Sequence, residues 1–391
     1  MTEFTQRTTS PFRYDIVGSF LRPKELKEAR ENFTAGNISR KELTEIENKA
    51  IIDLIKKEKA AGLHAVTDGE FRRSYWHLDF FWGLQGIQHV ILDHGYFFHN
   101  LETRRDSAQV VGKITGNNHP FVEHFKFVKE HAGEDAQVKQ TIPAPAQLLE
   151  EFIRPENQAS VKNIYSNTDD LDRDVAAAYH QVIQDLYAAG CRTLQIDDCT
   201  WGISVNNFAN LKKKDPNADT SQLKELQEHF LRVNNAAIQN LPDDLTINTH
   251  VCRGNYRSTW AASGGYGPVA DTLFAQENVN AFYLEYDSER AGGFEPLKKV
   301  PDDKYIVLGL VTSKTGELED KQAIIDRIKE AANYHPLDHL CLSSQCGFAS
   351  TEEGNILTEE QQWKKINFIK DITSEVWEDS QKEEKPYERA L

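Results

Sequence analysis

Leu245-Thr246-Ile247-Asn248-Thr249-His250-Val251-Cys252 is a short β-rich run that ends on two metal-binding residue types. Alternate side chains of an extended segment point the same way, so His250 and Cys252 can reach one point in space. The strand itself is expected over Leu245–Thr249. The same design, a β-rich run followed by an unusual polar residue, recurs on both sides. Tyr14–Gly18 is followed by Ser19, His64–Thr67 by Asp68-Gly69-Glu70, and Arg192–Ile196 by Asp197-Asp198. Ala281–Leu284 is followed by Glu285, and His339–Ser343 runs into Gln345-Cys346-Gly347. Val138–Ile142, ending at Pro143 and Pro145, and Tyr305–Leu310 complete the set.

Helical stretches separate these runs. Leu43, Ile46, Ala50, Ile51, Leu54 and Ile55 repeat at helical spacing within Lys41–Ala61, and Gly62 caps that helix. Further helices are expected over Val122–Glu130, Leu171–Ala189, Ser221–Asn240 and Asp320–Asn333. Eight strands with crossovers of this length predict an α/β fold, a single (β/α)8 TIM barrel spanning residues 12–378, with flexible tails at 1–11 and 379–391. An open doubly wound sheet competes less well, because no glycine-rich phosphate loop follows the first strand. Residues 71–118 form a long insertion after the second strand. It is rich in aromatics (Phe71, Tyr75, Trp76, Phe80, Phe81, Trp82) and continues into alternating segments such as Gln109–Ile114 that read as a β-hairpin.

Composition excludes several function classes. A net charge of −16 over 391 residues argues against a diffuse nucleic-acid surface. No apolar run approaches the roughly 20 residues that span a bilayer, and the first residues lack a signal-peptide core, so a cytoplasmic location is expected. Five cysteines, an odd and sparse set, do not make a disulfide scaffold. Met1 is the single methionine, the mark either of a biased composition or of a protein made when methionine is scarce.

In a TIM barrel all the strand ends named above face one mouth. His250, Cys252, Glu285 and Cys346 would converge there as a donor set suited to one Zn²⁺. Two thiolates and an imidazole largely neutralise the ion. It would then activate water poorly and serve instead as host for an exchangeable thiol, with Glu285 the ligand most easily displaced.

The ordered set Ile16-Val17-Gly18-Ser19-Phe20 with Arg22-Pro23, Asp68-Gly69-Glu70, Gln195-Ile196-Asp197, His250-Val251-Cys252, Glu285 and Cys346-Gly347 resembles the catalytic barrel of cobalamin-independent methionine synthase. The resemblance runs from about Tyr14 to Trp377, and is strongest to short single-barrel bacterial members. It implies that His250, Cys252, Glu285 and Cys346 hold zinc. It also implies that Val17, Gly18, Ser19, Glu70 and Asp197 hold the amino-acid end of homocysteine. The physics agrees: two carboxylates suit an ammonium group, and backbone N–H groups with a serine hydroxyl suit a carboxylate.

The chain departs from that pattern after strand seven. There the family carries a general-acid histidine, and Gly309-Leu310-Val311-Thr312-Ser313-Lys314 carries none. Lys314 falls near its place and is the candidate catalytic residue. The implied activity is methylation of homocysteine to methionine by 5-methyltetrahydrofolate or its polyglutamate. The missing histidine leaves open another donor, S-methylmethionine or a methylcorrinoid on a corrinoid protein. A metal-free decarboxylase on a similar barrel is disfavoured by the His-Cys-Glu-Cys set. A paralog that binds zinc and amino acid without turnover is the non-enzyme alternative.

Overall fold

A computed structural model describes residues 4–377. Its helices start and stop where local chemistry dictates. The Arg40–Ala60 helix opens on a capping box, in which the Ser39 side chain accepts from the Glu42 N–H and the Glu42 side chain accepts from the Ser39 N–H. The helix ends before Gly62, whose φ of +81° only glycine adopts freely. Leu43, Ile51, Leu54 and Ile55 form its buried face.

Nine strands follow one another along the chain: β1 (Ala65–Val66), β2 (Gln85–Ile91), β3 (Asp106–Thr115), β4 (Gln137–Pro143), β5 (Thr193–Asp198), β6 (Thr246–Val251), β7 (Ala281–Glu285), β8 (Tyr305–Val311) and β9 (Leu340–Ser344). Seven make a parallel sheet in the order β1-β4-β5-β6-β7-β8-β9, curled in the manner of a TIM-type barrel. β2 and β3 pair antiparallel as a separate hairpin, so the expected insertion after the second barrel strand is present.

The expected first strand, Tyr14–Gly18, is not a regular strand. Tyr14 makes a single parallel bridge to Leu342 of β9. Beyond it, side chains replace the ladder: Lys139 donates to the Ile16 carbonyl, Gln195 to that of Val17 at 2.6 Å, and Thr67 to that of Gly18 at 2.7 Å. Every one of these carbonyls is buried and must be paired, and polar side chains inside the barrel do it. Asp15 forms a buried pair with Lys139 at 3.0 Å in the same interior.

Residues 4–11, expected as part of a flexible tail, are instead fastened to the barrel. Thr5 donates from its N–H to Asp338 at 2.8 Å, the Arg7 guanidinium stacks 3.6 Å from the Tyr305 ring centre, and Ser10 is buried against Asp15 and Tyr283. The tail expected at 379–391 lies outside the described residues. Among the described residues, no helix is long and apolar enough to cross a membrane.

Candidate active site

His250 and Val251 are the last residues of β6, with Cys252 immediately beyond; Glu285 is the last residue of β7, and Cys346 sits two residues past β9. The fold brings all four together. One ligand atom from each of His250, Cys252, Glu285 and Cys346 lies within 4.8 Å of every other, and all four residues are buried.

The donors fit a metal ion rather than one another. The Cys252 and Cys346 sulfurs are 3.8 Å apart. Two thiolates bound tetrahedrally at a Zn–S length of about 2.3 Å would stand about 3.8 Å apart. Neither ring nitrogen of His250 has a hydrogen-bond partner among the described residues, although the ring lies beside the Cys346 thiol. Glu285 Oε1 accepts from the Arg253 N–H at 2.9 Å, whereas Oε2 is buried with no partner among the described residues. Orphaned buried nitrogens and oxygens of this kind are costly unless something fills the space between them. The Cys252 thiol is held well above the ordinary thiol range, first by the Cys199 thiol hydrogen-bonded to it. Cys346 is raised by its hydrogen bond with Cys252 and then by burial. A divalent cation among them reverses that sign and favours the thiolates.

A second cluster lies on the neighbouring strand ends. Asp68 turns the chain by accepting from the Glu70 N–H at 2.8 Å, and Glu70 itself has a φ of +61°. Non-glycine residues in that region concentrate at functional sites. Glu70 Oε1 accepts from Arg73 at 3.2 Å and Thr141 at 3.0 Å, but Oε2 is buried and unpaired among the described residues. Asp197 is buried, and its carboxyl accepts only from Gln195, at 2.8 Å, among the described residues. Burial raises the Glu70 carboxyl. Burial and then the Glu70 charge hold Asp197 well above the ordinary carboxylate range. Two carboxyls that oppose each other's ionisation call for a cation between them.

Asp198, not Asp197, serves the following helix (Thr200–Lys214): it accepts from the Thr200 N–H at 2.8 Å and from Asn234 at 3.0 Å. Ser19 is stitched to the loop after β9, its carbonyl accepting from the Phe348 N–H at 2.9 Å and its Oγ from the Ala349 N–H at 3.3 Å. Gly18 packs where a Cβ would come 2.7 Å from Thr141 Cγ2. The Val17 carbonyl is the acceptor for Gln195 described above.

Lys314 lies just past β8. Its Nζ is buried, 3.8 Å from Asp287, with no hydrogen-bond partner among the described residues. A cavity of about 480 Å³ reaches Cys199 and Gly254, which both touch the Cys252 sulfur: the Cys199 thiol is hydrogen-bonded to it and the Gly254 N–H donates to it at 3.3 Å. The insertion supplies much of its wall, including Tyr75, Trp76, His77, Tyr96 and Phe98. Three residues there escaped the sequence reading. Cys199 was open to detection, because it follows the strand end Asp197-Asp198 as Cys252 follows His250. Glu150 lies inside a helix (Pro145–Ile153), and His77 lies among insertion aromatics, so neither carried a sequence signal.

A family model described as "Cobalamin-independent synthase, Catalytic domain" matches residues 13–362. The uncharacterized protein YxjH of Bacillus subtilis is 46% identical over 94% of this chain and 95% of its own length. The methionine synthase of Saccharolobus solfataricus is 26% identical over 85% of this chain and 86% of its own. Among solved structures, a Listeria monocytogenes protein given the provisional name of a vitamin-B12 independent methionine synthase superposes with a TM-score of 0.74 at 38% identity. That superposition covers 95% of this chain and 99% of the other. A B12-independent methionine synthase from a Shewanella species, in complex with selenomethionine, shares the fold with a TM-score of 0.68 at 17% identity, over 95% and 99% of the two chains.

Proposed function

The chain belongs to the cobalamin-independent methionine synthase family through its catalytic domain, and from that premise we propose that it is a zinc-dependent S-methyltransferase converting homocysteine to methionine in the cytoplasm. The observation that carries the reading is the convergence of the four donor atoms within 4.8 Å. The family acts on homocysteine, and two buried carboxyls next door would receive its ammonium group.

On this reading His250, Cys252, Glu285 and Cys346 hold the ion. Zinc bound there supplies a site where an incoming thiol gives up its proton at neutral pH. Glu285 is fixed through Oε1 by the Arg253 N–H, which leaves Oε2 to face the centre and to withdraw from it. Glu70 and Asp197 take the ammonium, and Ser19 with the Val17–Gly18 segment takes the carboxylate. These contacts hold the sulfur in line with the methyl carbon of the donor, so proximity and orientation provide much of the rate. Sulfur–carbon bond formation accompanies rupture of the methyl–nitrogen bond, and the electron pair stays on nitrogen.

The donor is 5-methyltetrahydrofolate or its polyglutamate, seated in the aromatic cavity beside Cys199. Lys314 places a cation at the mouth of β8. Its presence where the family pattern carries a histidine favours, as the second reading, a different donor such as S-methylmethionine or a methylcorrinoid.

The test is zinc content together with methionine formation, each donor offered separately. About one zinc per chain and methionine from methyl-folate alone supports the first reading; methionine from another donor alone supports the second. Protein purified without chelator and free of zinc overturns both.

A further inference from the structure

The cavity beside the sulfurs contains a carboxyl group that nothing in the fold employs. Of its three glutamates, Glu156 is exposed. Glu151 is fully engaged: it accepts from Tyr96 OH at 2.7 Å, from Ser107 Oγ and from Asn157 Nδ2 at 3.3 Å, and lies 3.6 Å from Arg154. Glu150, on the same helix, is half-buried and makes no side-chain hydrogen bond or ion pair with any described residue.

A second unpaired group lies in the same wall. His77 is only 5% exposed, and its Nε2 is 3.1 Å from the Tyr96 hydroxyl. That hydroxyl gives its proton to Glu151, so it can only accept from His77. Nε2 therefore carries the hydrogen, and Nδ1 presents a lone pair that is buried without a partner among the described residues. Burial pushes the His77 pKa down to about 3, which keeps the ring neutral. The Glu151–Tyr96–His77 relay thus fixes a hydrogen-bond acceptor in an aromatic wall, and Glu150 stands free in the same space. A planar heterocycle with an N–H edge fits such a wall.

Resting on the S-methyltransferase reading, we propose that Glu150 protonates the leaving nitrogen of the methyl donor, a reduced-pterin N-methyl compound held in this cavity with its N–H edge toward His77. As the methyl carbon bonds to sulfur, the carbon–nitrogen bond breaks and its electron pair remains on nitrogen. Glu150 transfers its proton to that nitrogen, becomes a carboxylate, and is reprotonated from solvent. A carboxyl suits this task only if it is substantially protonated near neutral pH.

The surroundings provide for that. Burial first, then the charge of Asp198 at the end of β5 and of Glu151 on its own helix, push Glu150 up to about 7. Besides Glu151, the other titratable or charged cavity groups are Cys199, His77, His94, Tyr75, Tyr96, Arg154 and Glu156. Lys314 has its contact with Asp287 instead.

The experiment is the pH dependence of kcat/KM for 5-methyltetrahydrofolate in the zinc-loaded wild type, Glu150→Gln, Glu150→Asp and Lys314→Gln. The wild-type rate is expected to fall as pH rises through about 7. Glu150→Gln should lose that limb and about 10²–10⁴-fold in rate, the usual contribution of a general acid. Its zinc content and homocysteine affinity should match wild type, and Glu150→Asp should restore a limb. A limb that persists in Glu150→Gln, or that disappears in Lys314→Gln, overturns the proposal.

If wild type makes no methionine from methyl-folate, the methyl-folate reading fails by itself. Binding of 5-methyltetrahydrofolate, followed by calorimetry across the same pH range, then judges Glu150. Binding that weakens above about pH 7 in wild type and not in Glu150→Gln supports it as the proton-carrying partner. Equal pH dependence in both, or no binding, overturns it.

Discussion

Asp197 and His250 are register partners in the parallel pairing of β5 with β6. A carboxyl proposed to receive an ammonium group and an imidazole placed to receive a metal therefore stand side by side on adjacent strands. Backbone hydrogen bonding sets their spacing, at the ~4.8 Å separation of neighbouring strands. Thiol and amino group of one small substrate can be held at once because the sheet fixes the distance between their receptors. Asp197→Asn should raise KM for homocysteine about 10–100-fold, the loss expected for one hydrogen bond to a charged group, with zinc content unchanged. Equal loss of zinc and homocysteine affinity would place Asp197 in the metal centre instead.

Cys346→Ser removes one of two sulfurs from a donor set that has no spare neutral ligand. Zinc retained after dialysis should fall from about one per chain to a small fraction, and methionine formation should fall at least ~10²-fold. Metal analysis and a methionine assay on one preparation read both. Full zinc with full activity would remove Cys346 from the ligand set.

Gly309 offers a test that touches no ligand. A Cβ there would lie 2.7 Å from Gln345 Cα and 2.8 Å from the Leu284 carbonyl oxygen, both rigid backbone. Gly309 is the register partner of Glu285 on β7 and of Ser343 on β9. Gly309→Ala should therefore push apart the strands that carry Glu285 and Cys346. Zinc affinity is expected to drop about 10–100-fold, a size typical of changes just outside a metal's ligands. Competition with a chromogenic chelator measures it; unchanged affinity would mean that the loops absorb the shift.

Glu277 predicts a pH effect on stability. Burial first, then the Asp198 charge, raises its carboxyl to about 8 from an ordinary 4.5. The folded state then binds this proton more tightly than the unfolded state does. Stability from this group is present below about 4.5 and is lost as pH rises toward 8. Glu277→Gln keeps the oxygen that accepts from Asn234 at 3.2 Å and has nothing to ionise. Its Tm should fall less than that of wild type between pH 5 and pH 8.5, by several degrees. Parallel curves would assign the pH dependence to other groups.

The convergence of the four donors was legible because its logic is short-range: alternation puts His250 and Cys252 on one side, and strand ends collect Glu285 and Cys346 at one mouth. The parallel sheet was legible for a related reason, since each strand is a compact apolar run closed by a polar residue. The segment at 14–18 was not, because its carbonyls are satisfied by Lys139, Gln195 and Thr67, partners far away in the sequence. Residues 4–11 misled in the same way, their polar composition hiding long-range bonds to Asp338 and Tyr305. Glu150 and His77 become notable only once a cavity surrounds them, and a cavity leaves no periodic trace in a sequence.

The hairpin of β2 and β3 has its own small sheet, hydrogen-bonded to no strand of the barrel. None of the four clustered donor residues lies in residues 71–118, yet that stretch builds much of the cavity wall. The aromatic wall of the proposed donor site thus comes from a stretch of chain separate from the four clustered donors, while its acid, Glu150, comes from the helix after β4. On the proposed reading, changes confined to residues 71–118 would reshape the methyl-donor site and leave the four-donor cluster of the barrel in place.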